Sequence, residues 1–342
     1  FNRIINGAMT IDQRNAGASI TPANTYTVDR WQGTVGGATG KYSLQQNAGS
    51  VTPPVGFTNY LGATSLSAYS VTASDNYMIR QLIEGYSVSD LAYGTASAAT
   101  VTVSFWVRSS LTGDFGIVLV WGGSTANQRS YPILYTITSA NTWEYKTIVI
   151  PGDTTMAAGG FETTNSTGFQ LRIGIGGGAD SAGPSGAWAT SNYQTVTGAT
   201  SVVGTNGATF YITGVQLEAG SSGSSFAHEF VGDTLQKCQR YYQKSLNQDV
   251  AAGTAADIGG IHVLSWSDGN ASGISWQTVM RAAPTVTFYP TNSTSAGYVN
   301  AFGTDRVASA SYPSQRGFSF ILVTDGSATN YVRFQYIATA EL

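Results

Sequence analysis

The sequence predicts an all-β protein: a jelly-roll β-sandwich, then a short helix and a second, smaller β-sandwich domain. Three observations carry this: two-residue alternation of apolar side chains, turn signals between the alternating runs, and a composition rich in uncharged polar residues. Only 10% of the 342 residues are charged, against roughly 25% in an average soluble chain. Helices display Glu and Lys on their exposed faces, so a chain this poor in charge is better suited to short strands and many turns.

The alternation is clearest in Val101-Thr102-Val103-Ser104-Phe105-Trp106-Val107-Arg108, where Val, Val, Phe and Val share one face and Thr, Ser, Trp and Arg the other. Trp143 to Thr147 and Phe169 to Ile175 alternate in the same way. In Thr209 to Leu217, Phe210 and Ile212 fall on one side, Tyr211 and Thr213 on the other. Thr112-Gly113-Asp114, Ser139-Ala140-Asn141 and Pro151-Gly152-Asp153 supply turns between the runs. The stretch from Gly174 to Gly207, holding Trp188 and Tyr193, reads as a long loop. Gly220 to Ser225 reads as a flexible connector or as a surface turn capping the last strand.

A helix is expected over about Gly232 to Ser245, with Asp233 or Thr234 as N-cap and a stripe of Leu235, Cys238 and Tyr241 or Tyr242. The domain boundary therefore falls near residue 230, giving a jelly roll over 1–230 and a helix plus distal β domain over 231–342. Distal strands are expected near Ile261 to Trp266, Gly273 to Met280, Thr285 to Tyr289, Phe318 to Val323 and Tyr331 to Ile337. Trp266 and Trp276 are expected in the core there.

Composition also excludes. Net charge is -3 and the 16 basic residues are scattered, so nucleic acid is not an expected partner. No apolar run approaches the roughly 20 residues of a membrane span, and no secretory signal peptide is evident. Cys238 is the sole cysteine, which suits folding in a reducing cytoplasm. The sequons at Asn165, Asn270 and Asn292 read as by-products of Ser/Thr richness.

Several phrases in fixed order resemble a bacteriophage tail-fibre or receptor-binding family. They are Asn6-Gly7, Ile11-Asp12-Gln13-Arg14-Asn15-Ala16-Gly17-Ala18, Tyr26-Thr27-Val28-Asp29-Arg30-Trp31, Phe210 to Glu218, Cys238 to Ser245 and the closing Ala338-Thr339-Ala340-Glu341-Leu342. The resemblance implies a jelly roll similar to a carbohydrate-binding module, display on a virion after synthesis in the bacterial cytoplasm, homotrimer assembly and attachment to a host cell-surface glycan. The other partners it implies are virion proteins; it brings no catalytic residues. A stripe along Leu235–Tyr242 would lie near the three-fold axis or cover its own sheet. A purely structural capsid or tail decoration is the alternative, and a polysaccharide depolymerase a third.

Little in the sequence points to catalysis. His228 and His262 are the only histidines, and no His-x-x-x-His or Cys-x-x-Cys spacing exists to build a zinc site. The glycines of Gly174 to Gly178 lack the Lys-Ser/Thr ending of a phosphate loop. A depolymerase needs two facing carboxyls, for which Glu84, Asp90, Glu162 and Asp180 are the available groups. No cofactor is expected. Asp12, Asp29 and Glu218 offer oxygens to a structural calcium ion, but no Asp-x-Asp-x-Asp-Gly loop gathers them and no ligand is assigned.

Sugars stack an apolar ring face on Trp or Tyr while amides and Arg bond their hydroxyls. Trp106 qualifies because it opposes the valine face, with a covering loop or subunit as the competing expectation; Gln170 and Arg172 show the same outward pattern. Trp121 qualifies because Gly122-Gly123 follows it, and Trp188 and Tyr193 because of the long loop. Trp31 and Trp143 read as structural. Distal turns near Ser267-Asp268-Gly269-Asn270, Thr291-Asn292-Ser293-Thr294 and Thr324-Asp325-Gly326-Ser327 would form a polar tip.

Overall fold

The computed structural model describes residues 1–122, 128–157, 159–251, 253–265, 270–301, 303–324 and 331–342. They form two compact units, the first of Phe1–Thr10, Gly17–Glu229 and Leu342, the second of Ile11–Ala16 and Phe230–Glu341. Residues 11–16, expected within the first domain, belong to the second unit.

The first unit is an antiparallel sandwich. Its strands are β1 (Thr25–Tyr26), β2 (Gln32–Gly36), β3 (Tyr42–Gln46), β4 (Leu61–Ser65), β5 (Asn76–Glu84), β6 (Val101–Ser109), β7 (Gly113–Trp121), β8 (Arg129–Ile137), β9 (Glu144–Ile150), β10 (Thr167–Gly177), β11 (Ala182–Gly183), β12 (Thr195–Val196) and β13 (Thr209–Ala219). One sheet runs β1-β2-β5-β10-β7-β8 and the other β3-β4-β13-β6-β9, while β11 and β12 form a small parallel pair. The alternation becomes the core: Tyr77, Ile79, Phe115, Ile117, Leu119, Phe169, Leu171 and Ile173 from one sheet meet Val101, Val103, Phe105, Val107, Phe210 and Ile212 from the other. At roughly 25 cal/mol per Å² of apolar surface, this interior supplies the main driving force for the fold.

One irregularity in that core matters below. Along β13, Phe210 and Ile212 face inward, yet so do Val215 and Leu217. The parity changes because three steps on β13, Thr213 to Gln216, oppose two on β6, Trp106 to Ser104. This is a β-bulge, one extra residue that re-aims everything after it.

In the second unit, α1 (Val231–Gln239) precedes β14 (Tyr242–Lys244), β15 (Ile261–Leu264), β16 (Ala271–Ser272), β17 (Thr285–Tyr289), β18 (Tyr298–Ala301), β19 (Thr304–Ser311), β20 (Phe320–Val323) and β21 (Tyr331–Thr339). β21 is the organising strand and pairs with β14, β15, β17 and β18. Trp276, Met280, Phe288, Phe318, Val332, Phe334 and Tyr336 fill the core. The segment Ile11–Ala16 is tied in by Gln13 Nε2 donating to Tyr242 O at 3.1 Å, and by Arg14, which pairs with Glu341 at 2.6 Å and lies 3.8 Å above the Tyr242 ring.

Three distal expectations are corrected. The helix stops at Gln239 rather than Ser245, because Tyr242–Lys244 pairs with β21. Its N-cap position is Phe230, with no side-chain cap, rather than Asp233 or Thr234. Gly273 to Met280 is not a strand: only Ser275 makes an isolated bridge, although Trp276 is buried as expected. Trp266 lies outside the described residues, as do Gly123 and the parts of the expected turns at 267–269 and 325–327. No helix among the described residues is long and apolar enough to cross a membrane.

Candidate functional site

The outer face of the five-stranded sheet carries the most distinctive surface of the first unit. Since Phe105 and Val107 point into the core, Trp106 between them must point out, and it is half-buried. Its cross-strand partner on β9 is Tyr145, with ring centroids 5.4 Å apart at 51°. On the other side it pairs with Thr213 of β13, immediately before the bulge.

Gly214 occupies the bulge with φ 63°, a left-handed conformation that costs glycine little. A Cβ there would stand 2.7 Å from Phe57 Cζ and 3.2 Å from Trp106 Cδ1. The bare Cα therefore lets both rings close over the strand. Phe57 is delivered by a turn in which its N–H donates to Pro54 O at 3.0 Å, and Thr213 Oγ1 holds Asn59 O at 2.7 Å two residues on. Phe57, Phe226 and His228 then form a ring cluster with centroids 4.9–5.2 Å apart.

The segment 220–228 is no free linker. It is the capping turn, held back on the sheet by the side chains that the bulge directs outward. Glu218 accepts from Ser224 Oγ at 2.6 Å, Ser224 N at 3.0 Å and Gln216 Nε2 at 2.7 Å. Gln216 Oε1 accepts from Ala227 N at 2.9 Å, and Thr102 Oγ1 donates to Gly220 O at 2.7 Å. Burial raises the proton affinity of Glu218, but these donors outweigh it and hold the carboxyl below its ordinary value. The result is an open cavity of about 450 Å³, with Phe57, Trp106, Tyr145, Phe226 and His228 as its ring-bearing walls and Ser224 and Ser225 as polar rim. Flat rings beside hydroxyls and an imidazole suit a ligand with one apolar and one polar face.

Among the described residues, no carboxyl lines this cavity. Of the four acids considered for depolymerase chemistry, Asp90 pairs with Arg3 at 2.6 Å and Glu162 accepts from Thr164 N at 2.7 Å. Glu84 is buried at the end of β5 and Asp180 is exposed. Among the described residues, no three His, Cys, Asp or Glu side chains gather as a metal-binding group.

Of the sequence-derived contacts, only Trp106 lies in the cavity. Trp121 is corrected: it is 1% exposed, its Nε1 donates to Asp153 at 2.9 Å, and rings of Tyr93 and Phe161 enclose it, so it has no face to offer. Trp188 and Tyr193 are half-buried anchors in the loop between β11 and β12. Trp188 Nε1 donates to Pro151 O at 2.8 Å with its ring 5.2 Å from Tyr131, and Tyr193 packs directly on the Cα of Gly183. Trp31 and Trp143 are structural: their indole N–H groups donate to Asn6 O and Thr52 O. Sequence reading missed Phe57, Tyr145, Phe226 and His228 as site residues. Tyr145 was reachable from the alternation of β9; the other three sit in turns that carry no periodic signal.

No family model matches the chain, and no curated protein matches it. Solved structures do. The chain is similar to the enzymatically active domain of bacteriophage CBA120 tailspike protein 4, with 11% identity over 64% of this chain and 21% of that one, at a TM-score of 0.34. It thus spans about a fifth of that protein's length. It is similar to the CBM22-1 xylan-binding domain of Paenibacillus barcinonensis Xyn10C (10% identity, 61% and 99% covered, TM-score 0.31). It is also similar to the family 11 carbohydrate-binding module of Clostridium thermocellum solved with a β-1,3-1,4-linked tetrasaccharide (12%, 61% and 98%, 0.28). At these scores none of the similarities bears on the chemistry of this chain.

Proposed function

We propose that this protein binds a glycan through the Trp106 groove and serves as a virion attachment fibre that contacts the host surface. The observation that carries the reading is the groove itself: Trp106, Tyr145 and Phe57 stand on an outer sheet face where solvent-compatible residues are the rule. Stacking surfaces with hydroxyl and imidazole groups at the rim match a saccharide, apolar on its ring face and polar at its edges. The described lining of the cavity, rings and hydroxyls with no carboxyl among the described residues, favours holding a sugar over cleaving it. The resemblance of the quoted phrases to a phage receptor-binding family supports the virion setting, the association with other virion proteins and a trimeric assembly.

The test is a glycan array followed by calorimetric titration, using the wild type and Trp106→Ala. We expect a saccharide ligand for the wild type, weakened roughly tenfold or more by removal of the stacking ring. Trp106 is only half-buried, so the variant should keep the wild-type far-ultraviolet circular dichroism. A chain that binds no glycan, or one whose binding is untouched by Trp106→Ala, fits the decoration role instead. Light scattering that returns a stable monomer would remove the trimer.

A further inference from the structure

The opposite sheet carries a second feature, on its own outer face. Arg80 of β5 and Arg172 of β10 are direct cross-strand partners, with Gln32 of β2 beside Arg80 and Val118 of β7 beside Arg172. Like charges placed so are ordinarily unfavourable. Neither arginine meets a carboxylate among the described residues; every acceptor they use is neutral.

Arg172 is 2% exposed. Its Nε and Nη2 donate to Gln170 Oε1 at 3.2 and 2.8 Å, its Nη1 to Asn192 Oδ1 and Tyr193 O at 2.7 Å each, and its Nη2 also to Gln128 Oε1 at 3.4 Å. The guanidinium is fully hydrogen-bonded yet its charge is not neutralised. Burial first, then the facing Arg80, lower its proton affinity to about 9, so it stays charged at neutral pH. Arg80 is half-buried, and it spends only Nε on Gln32 Oε1 at 2.7 Å and Nη1 on the same Gln170 Oε1 at 3.5 Å. Its Nη2 has no partner among the described residues. Two positive charges therefore sit on one sheet row, and the donors left over belong to the more exposed of them.

We propose that Arg80, backed by Arg172, binds the carboxylate of an acidic saccharide. The planar guanidinium fork matches a carboxylate through two parallel hydrogen bonds. An arriving anion would relieve the repulsion between the arginines, so the pair is more complete occupied than empty. The surrounding amides, Gln32, Gln170 and Gln128, can serve sugar hydroxyls as they now serve the guanidinium groups. This site lies on the other sheet from the Trp106 groove and does not depend on it.

The test uses the full chain in titration calorimetry and thermal melting with trigalacturonate, the neutral galactotriose and sodium sulfate at matched ionic strength. Trigalacturonate should bind and raise the melting temperature, and Arg80→Gln should weaken it about tenfold or more. Trp106→Ala should leave that response intact, which separates this site from the groove. Unliganded Arg80→Gln should melt no lower than the wild type, since it removes a repulsion. Should it fail to fold, Arg80→Lys keeps the charge without the fork and is expected to lose about tenfold; unchanged affinity in Arg80→Lys would overturn the fork geometry. An equal response in Arg80→Gln, an equal response to sulfate or galactotriose, or a change of oligomeric state in Arg80→Gln would each overturn the assignment, the last by making the site a contact between protein chains.

Discussion

Replacing Asp153 by alanine is the sharpest perturbation of the scaffold. Asp153 is 2% exposed and faces Arg129 in a bidentate pair, with Arg129 Nη2 at 3.0 Å from Oδ1 and Nε on Oδ2. Oδ2 also accepts from Trp121 Nε1 at 2.9 Å, and Oδ1 from Thr155 N at 3.1 Å. Arg129 Nη1 donates onward to Thr190 Oγ1 at 2.8 Å, so one carboxylate fixes two strand ends and a loop. Removing it leaves a buried guanidinium without its counter-charge, a loss of about 3–5 kcal/mol. For a unit of this size, ~1 kcal/mol corresponds to about 2–4 °C, so the melting temperature should fall by roughly 6–20 °C. Urea denaturation followed by tryptophan fluorescence would measure it. The double variant Asp153→Leu with Arg129→Met removes both charges, and it should recover most of the loss because no ion remains buried alone. A loss below about 1 kcal/mol for the single variant, or a double variant as unstable as the single, would refute this account of the pair.

Two further expectations concern groups outside the groove cavity or at its rim. Burial pushes the carboxyl of Glu144 up, but Lys146 Nζ at 2.6 Å, Ser139 N and the Thr138 hydroxyl and N–H outweigh it and hold it at about 2 against an ordinary 4.5. A depressed value means its contribution is complete above about 4.5 and is lost as pH falls toward about 2; melting curves of wild type and Glu144→Gln should differ at pH 6 and converge across that window. The phenol oxygen of Tyr135 is buried with no partner among the described residues, whereas that of Tyr60 donates to Ala48 O at 2.5 Å and accepts from Val51 N at 2.8 Å. Tyr135→Phe should therefore be neutral or stabilising by up to ~1 kcal/mol, and Tyr60→Phe should cost about 1 kcal/mol or more in urea denaturation.

What the sequence disclosed followed the range of the interaction involved. The inward and outward faces of β6 were legible because alternation is written in adjacent residues, and Trp106 was placed correctly for that reason. Trp121 was misplaced because a tryptophan followed by glycines looks like a surface approach, while the carboxylate that buries it lies 32 residues away. Leu235, Cys238 and Tyr241 or Tyr242 read as one helical stripe; Leu235 is only half-buried, whereas the buried ones are Cys238, Tyr241 and Tyr242. The last is a strand residue instead, because pairing with Thr339 outweighs helical continuation. No local pattern marked Arg80 and Arg172 as neighbours; only the register of β5 against β10 brings them together.

The groove follows from the same rule applied to one inserted residue. Without the bulge, Val215 and Leu217 would continue the parity of Tyr211 and Thr213 and face solvent, while Gln216 and Glu218 would enter the core. With it, the apolar pair completes the interior and the polar pair emerges on the outer face, where it tethers Ser224 and Ala227. The glycine that permits the bulge also leaves the space in which Phe57 approaches Trp106. Core packing, the return of the 220–228 turn and the aromatic walls are thus consequences of one backbone conformation. A one-residue slip of β13 against β6 beyond the bulge would hide Gln216 and Glu218 and so release the turn that closes the cavity.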